Sequence, residues 1–296
     1  MAENPAQALF DMKKEHRFLI GIDSDGCAFD TMEIKHKECF IPNIINYWDM
    51  QSVSKYAREA AEFVNLYSKW RGINRFPALL MVFDLLDERE EVRRRGFKSP
   101  EVPSLREWSQ KETKLGNPAL RKAVEETKDP ILAKTLEWSE AVNETVAKIV
   151  RGVPPFPFVR ESLIKMQDFA DVIVVSATPT EALQREWEEH DIAKYVKVIC
   201  GQEMGTKKEC LQFGKADRYE DDHVLMIGDA PGDLVAARAN NVLFYPINPG
   251  DEERSWERFF NEAYYKFING EYAGAYQDML IEEFDRYLPS TPPWKK

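Results

Sequence analysis

The chain has no long hydrophobic run, few cysteines and no excess of positive charge, and each shortage removes a class of function. No apolar segment approaches the roughly 20 residues that a membrane-spanning helix needs. The stretch from Met1 to His16 is polar and mixed in charge, which does not read as a secretory leader. Four cysteines, at 27, 39, 200 and 210, form no Cys-x-x-Cys pair. Free thiols in a reducing cytoplasm are therefore expected, rather than a disulfide frame. Lys and Arg number 40 against 51 Asp and Glu, for a net charge of −11. Such a balance, with no long basic tract, argues against a nucleic-acid-binding surface. The densest basic stretch, Arg93-Arg94-Arg95 with Lys98, lies beside Glu88, Glu90 and Glu91 and reads as a solvated helix end. Internal repeats and low-complexity tracts are absent, as are the patterns G-x-G-x-x-G, H-E-x-x-H and G-x-S-x-G. Gly201 to Lys207 approaches a P-loop, but its glycine spacing is one short and Lys208 stands where a hydroxyl is needed.

What is present is a 296-residue chain, 44% hydrophobic, long enough for one large domain or two ordinary ones. Near its start an apolar run, Phe18 to Ile22, reads as a short buried strand that ends in Asp23-Ser24-Asp25-Gly26. Asp, Ser and Gly are turn formers, so the tetrapeptide alone is equally a turn. It is also a pair of carboxylates of which one can attack an electrophile while the other moves a proton. Cys27, which follows, reads as a small packing residue.

From about residue 32 to 150 the pattern is helical or loop. Ser52 to Trp70 carries a helical stripe, and Pro77 to Leu86 is a second apolar helix. Glu90 to Pro118, broken by Gly96, Pro100, Pro103, Gly116 and Pro118, reads as loop. Asp129-Pro130 starts a helix that runs to Val150. After the stiff Pro154-Pro155-Phe156-Pro157 the chain alternates. Helices over 159–170, 180–190, from near Lys207, and over 232–239 precede strands at 172–175, 196–199, 224–227 and 242–245. Such alternation means an α/β fold with a doubly wound parallel sheet. The strand at 17–23 joins it. The expected division is a catalytic core of 1–33 and 152–296, with a helical insertion of 34–151.

Parallel strands bring their C-terminal ends to one sheet edge. Asp23 and Asp25 follow the first strand, Ser176 the second, and Gly228-Asp229 the fourth, with Asp233 shortly after; Lys207 and Lys208 open the helix after the third. Taken singly, Ser176 is equally a helix N-cap, Lys207 a solvated lysine, Asp229 a turn residue and Asp233 a favourable charge at a helix N-terminus. The ordered set resembles the haloacid dehalogenase-like (HAD) hydrolase superfamily. D-x-D-G stands as Asp23-Ser24-Asp25-Gly26, the strand-end hydroxyl as Ser176, the helix-start lysine as Lys207, with Lys208 the neighbouring candidate, and G-D-x-x-x-D as Gly228 to Asp233.

The resemblance implies a Mg²⁺-dependent phosphatase acting on a small phosphorylated metabolite. Asp23 would be the nucleophile that forms an aspartyl-phosphate, and Asp25 the acid and then the base. Asp23, the Asp25 carbonyl, Asp229 and Asp233 would hold Mg²⁺, since all-oxygen ligation suits that ion. Ser176, Lys207, Ser24 and Ala177 would bind the phosphoryl group. Asp25 disfavours dehalogenation, whose family members lack the second acid. A phosphomutase of the β-phosphoglucomutase type, or a non-catalytic member that binds a phospholigand, would share the core. The mutase pattern has a His where this chain has Lys35, with His36 following, and the usual Thr or Val after the glycine is Cys27. The resemblance makes the insertion a type-1 cap that closes over the site. There Arg75, within Trp70-Arg71-Gly72-Ile73-Asn74-Arg75, is the candidate for an anionic substrate group, or equally a surface salt bridge.

Overall fold

Five short apolar runs form one parallel sheet. The structure, a computed structural model, describes residues 4–295. Its strands are β1 (Phe18–Ile22), β2 (Ala170–Val175), β3 (Val198–Cys200), β4 (Val224–Gly228) and β5 (Leu243–Pro246), in the order β3-β2-β1-β4-β5. All four pairings are parallel, with Ile22 opposite both Val174 and Ile227. Every residue of β1, β2 and β4 is buried. That is why these strands read as continuous apolar runs: both sheet faces are covered.

The period of two sorts the strand residues between two cores. Ile20, Ile22, Val172, Val174, Leu225 and Ile227 pack on one face with Trp187, Trp256 and Tyr264. Leu19, Ile173, Val175, Met226 and Phe244 pack on the other with Leu9, Leu211 and Phe284. The sheet is therefore doubly wound. From β1 the chain winds outward through β2 to β3, then returns to β4 on the other side of β1. The switch point thus lies where β1 and β4 end side by side, the usual ligand crevice of open α/β sheets.

The chain divides into two compact units: one reaches to Met32 and resumes at Gly152–Leu288; the other is Glu33–Arg151 with the segment from Pro289. The sequence places the segment from Pro289 with the core, but its described part has apolar partners in the helical unit. Trp294 packs edge-on against Phe63, with ring centroids 5.7 Å apart, and lies under the Arg89 guanidinium at 4.5 Å. The boundary also falls one residue earlier than expected, between Met32 and Glu33.

The helical unit has its own core, with Trp138, Phe76, Phe83 and Val64 at its centre. Its longest helix, Pro130–Ile149, starts where the sequence expects. Asp129 accepts from the N–H groups of Ile131 and Leu132, and Pro130 occupies the first turn. The stretch 90–118 is not the loop that its prolines suggest. Pro103 and Pro118 open the helices Pro103–Lys111 and Asn117–Thr127 rather than breaking them. Leu105 is buried, and Trp108 meets Phe76 edge-on at 5.0 Å. Among the described residues no helix is long and apolar enough to cross a membrane.

Candidate active site

The site begins with the backbone. The Asp23 N–H donates to the Ile227 carbonyl at 3.0 Å, so the ends of β1 and β4 stay paired one residue beyond the strand. Gly26, at φ 77°, then turns the chain back, and its N–H donates to the Phe29 carbonyl. On β2, the Ser176 N–H donates to the Cys200 carbonyl at 3.0 Å.

Asp23, Asp229 and Asp233 are all buried, and one carboxylate oxygen from each lies within 4.8 Å of the others. Lys207 enters this cluster from the first turn of its helix. Its Nζ donates to Asp23 Oδ2 at 2.6 Å and to Asp233 Oδ1 at 2.7 Å. Lys208, one residue on, is exposed. A capping box explains the lysine's placement: Thr206 accepts from the Glu209 N–H while Glu209 accepts from the Thr206 N–H, fixing where the helix starts.

Gly228 has a specific steric reason. A Cβ there would lie 2.3 Å from Cβ and Cγ of Asp233. Only glycine lets the Asp233 carboxyl fold back over the strand end, where its Oδ2 accepts from the Ala230 N–H at 3.1 Å.

The electrostatics follow from burial. Desolvation, reinforced by neighbouring carboxylates and opposed by Lys207, pushes the Asp23 carboxyl up to about 6. Asp233 is likewise pushed up to about 6 by burial against the pull of Lys207. Burial alone would lower the Lys207 ammonium, but the charges of Asp23, Asp233 and Asp229 outweigh it and hold its pKa above the ordinary lysine range. Three carboxylates and one ammonium leave two negative charges in a buried space. An all-oxygen set with that charge fits a hard divalent cation.

Asp25 is held differently. Thr31 Oγ1 donates to its Oδ1 and Thr178 Oγ1 to its Oδ2, each at 2.5 Å. Neither threonine stands out in the sequence; the only signal was that Thr178 lies two residues beyond Ser176. Ser176 itself is buried, and its Oγ accepts from the Thr178 N–H at 3.3 Å in a local turn; it is not a helix N-cap, because the next helix, Thr180–Glu189, has Pro179 in that place. Ala177 is exposed at the same strand end. The Ser24 side chain turns into the core, where its hydroxyl accepts from Trp187 Nε1 at 3.0 Å and donates to Glu186. What Ser24 keeps at the strand end is its N–H, which lies on Asp23 Oδ1 at 2.7 Å.

Arg75 belongs to the helical unit. Its Nη1 donates to the Ser139 carbonyl, Ser139 Oγ and Asn143 Oδ1, and its guanidinium stacks 4.9 Å from the Phe40 ring centre. No carboxylate pairs with it among the described residues, so the surface salt bridge is not formed. Burial lowers its pKa to about 10.

The sequence profile of the haloacid dehalogenase-like hydrolases matches residues 99–246, half of the chain. The chain belongs to that family. The matched span carries Ser176, Lys207, Asp229 and Asp233 of this haloacid dehalogenase-like hydrolase, while Asp23 and Asp25 lie before it. No curated protein matches the chain significantly. Among solved structures the hydrolase is similar to a candidate phosphoglycolate phosphatase from Lactobacillus delbrueckii subsp. bulgaricus. Their identity is 15% and the TM-score 0.48, over 83% of this chain and 92% of that one. It is also similar to a haloacid dehalogenase-like family hydrolase from Streptococcus pneumoniae, at 14% identity and TM-score 0.42, over 83% and 91% of the two chains. A subfamily IA hydrolase of the superfamily from Geobacter sulfurreducens matches at 16% identity and TM-score 0.40, over 79% and 89%.

Proposed function

We propose that this hydrolase is a Mg²⁺-dependent phosphatase that cleaves a small phosphorylated metabolite through an aspartyl-phosphate. One observation carries the reading. A buried carboxylate, Asp23, sits in contact with a lysine and beside two further acids, with a second carboxyl two residues on that accepts from two threonine hydroxyls. A solvated cluster of turn residues has no need of that arrangement.

Asp23, Asp229 and Asp233, with the Asp25 carbonyl, would hold the ion. When bound, Mg²⁺ would offset the charge that a phosphoryl group adds to this acidic site. Asp23, ionised at neutral pH despite its raised pKa, attacks phosphorus, and the bond from phosphorus to the ester oxygen breaks. Asp25 gives that oxygen its proton. In the second half Asp25 takes a proton from water, whose oxygen attacks phosphorus as the bond to Asp23 breaks. Lys207, Ser176 and the N–H groups of Ser24 and Ala177 supply donors for the phosphoryl oxygens. In the helical unit, Arg75 is the cation assigned to a second anionic group of the substrate. The free, buried cysteines accord with a cytoplasmic enzyme.

The test is phosphate release from a panel of phosphorylated metabolites, with and without chelator. Asp23→Asn should abolish turnover while the protein stays folded; wild-type turnover by that variant would sink the nucleophile assignment. Dependence on a bisphosphate activator would instead favour a mutase.

A further inference from the structure

The Asp25 carboxyl has one threonine hydroxyl on each oxygen, and the two threonines arrive by different routes. Thr31 lies six residues downstream, at the start of the short helix Thr31–Ile34. Thr178 comes from the end of β2, a separation of 153 residues. Its hydroxyl is not taken up by the local turn. The neighbouring backbone is already served by others: Ser176 Oγ accepts from the Thr178 N–H, and Glu203 accepts from both the N–H and the hydroxyl of Thr180. The Thr178 carbonyl is in turn pinned by the Gln202 N–H at 3.0 Å. Gly201 packs so closely on this turn that a Cβ would fall 2.4 Å from the Thr180 nitrogen and 2.7 Å from the Thr178 carbonyl oxygen. The loop after β3 therefore clamps the loop after β2, and the clamped loop presents one hydroxyl to Asp25.

We infer that Thr178 is a positioning residue for Asp25: its hydroxyl fixes the carboxyl through both halves of the reaction, whether the carboxyl carries the proton or not. The inference rests on the phosphatase reading. Its physical basis is the partner's chemistry. An ammonium or amide N–H can only donate, and so loses its contact with a carboxyl oxygen once that oxygen carries the proton. A carbonyl can only accept, and so meets that oxygen only while it carries the proton. A hydroxyl does both by rotating its proton. A group that must give a proton and then take one is best served by such a partner, because the contact survives each transfer.

The test compares full-length Thr178→Val, which keeps the shape and deletes the hydroxyl, with Thr178→Ser, which keeps the hydroxyl. Two substrates separate the steps. p-Nitrophenyl phosphate has a leaving group that needs no proton, so formation of the aspartyl-phosphate gives a rapid burst of nitrophenolate. An alkyl phosphate has a leaving group that needs one. With T178V the burst rate should stay near wild type while steady-state turnover falls about 10–100-fold. Turnover of the alkyl ester should fall by at least as much, with KM unchanged within about threefold. T178S should recover most of the loss. A burst and a steady state that fall together in T178V would show a merely structural residue and overturn the inference, as would wild-type turnover by T178V. Absence of phosphate release from every ester by the wild-type enzyme would overturn the phosphatase reading itself, and is told apart because it appears in the parent protein rather than in the variant.

Discussion

Adding Mg²⁺ should stabilise the protein strongly at pH 7.5 and hardly at all at pH 5. The reason is the charge of the buried cluster. Asp23 and Asp233 each rise from 3.8 to about 6, driven first by burial. For a carboxyl whose pKa is raised by folding, the stabilising contribution is complete below the unfolded value and is lost as pH rises through the folded one. In metal-free protein that window runs from about pH 4 to about 6 for these two groups. Each shift of about two units corresponds to about 3 kcal/mol at most, and the two share Lys207, so their sum is smaller than twice that. Above pH 6 the cluster is ionised and ready for a cation. At pH 5 each carboxyl is about nine-tenths protonated, so a cation that needs both ionised binds about 100-fold more weakly.

The consequence is measurable by thermal denaturation. At a Mg²⁺ concentration about 100 times the pH 7.5 dissociation constant, linkage gives about 2.7 kcal/mol of stabilisation. For a protein of this size that is a rise of roughly 5 °C in Tm. The same concentration at pH 5 equals the weakened dissociation constant and gives about 0.4 kcal/mol, a rise of about 1 °C. Asp229→Asn should remove most of the effect at both pH values. Equal Tm shifts at pH 5 and 7.5, or an undiminished shift in the Asp229→Asn variant, would refute the reasoning that the three acids form one proton-competed cation site.

Gly228→Ala places a methyl group 2.3 Å from Asp233 Cβ and Cγ, so the acid must move; a stability loss of about 1–3 kcal/mol in urea denaturation is expected, with hydrolysis lost as well. Burial pushes the Asp171 carboxyl up, but the Tyr219 hydroxyl, the His16 ring and the N–H groups of His16 and Glu15 outweigh it and hold it below its usual 3.8. Its stabilisation is present above about pH 4 and is lost as pH falls through the folded value, so Tyr219→Phe should cost about 1–3 kcal/mol at neutral pH and move the acid transition upward, which circular dichroism against pH would read. Arg75→Ala should raise KM more than it lowers kcat for a substrate with a second anionic group; steady-state kinetics showing no change in KM would remove Arg75 from the substrate site.

The parts of this site that could be read from the sequence are those with a short local signature at a strand end. Asp23 and Asp25 follow a five-residue apolar run, and Gly228-Asp229 follows another, so the parallel sheet implied by the alternation of helices and strands places them on one edge. Lys207 is legible as a lysine at a helix start, but Lys208 beside it is an equal candidate in the same turn, and only the contacts of Lys207 Nζ with Asp23 and Asp233 decide between them. The stretch 90–118 is not legible because proline both breaks helices and opens them, and only the packing of Leu105 and Trp108 on the helical core, with Trp108 edge-on to Phe76, decides which it does. The same limit hides the tail from Pro289, whose partners, Phe63 and Arg89, lie more than 200 residues earlier.

The threonines on Asp25 mark where sequence reasoning stops for a physical reason. A carboxylate announces its chemistry by its type, whereas a hydroxyl is as much a turn former as a hydrogen-bond partner. Thr178 becomes distinctive only when the loops after β2 and β3 are seen to clamp each other, because that removes the backbone partners its hydroxyl would otherwise take. The clamp needs Gly201, where a side chain would meet Thr180, and Glu203, whose carboxylate holds the N–H of Thr180. Residues with no chemical role thus decide which hydroxyl faces Asp25. By this logic Gly201→Ala should weaken the acid/base half of the reaction although it lies outside every motif. Its kinetic signature should match that of Thr178→Val, a preserved burst with slowed steady-state turnover. A Gly201→Ala enzyme that slowed the burst and turnover alike would mean that the clamp shapes the whole phosphoryl site, and not Asp25 in particular.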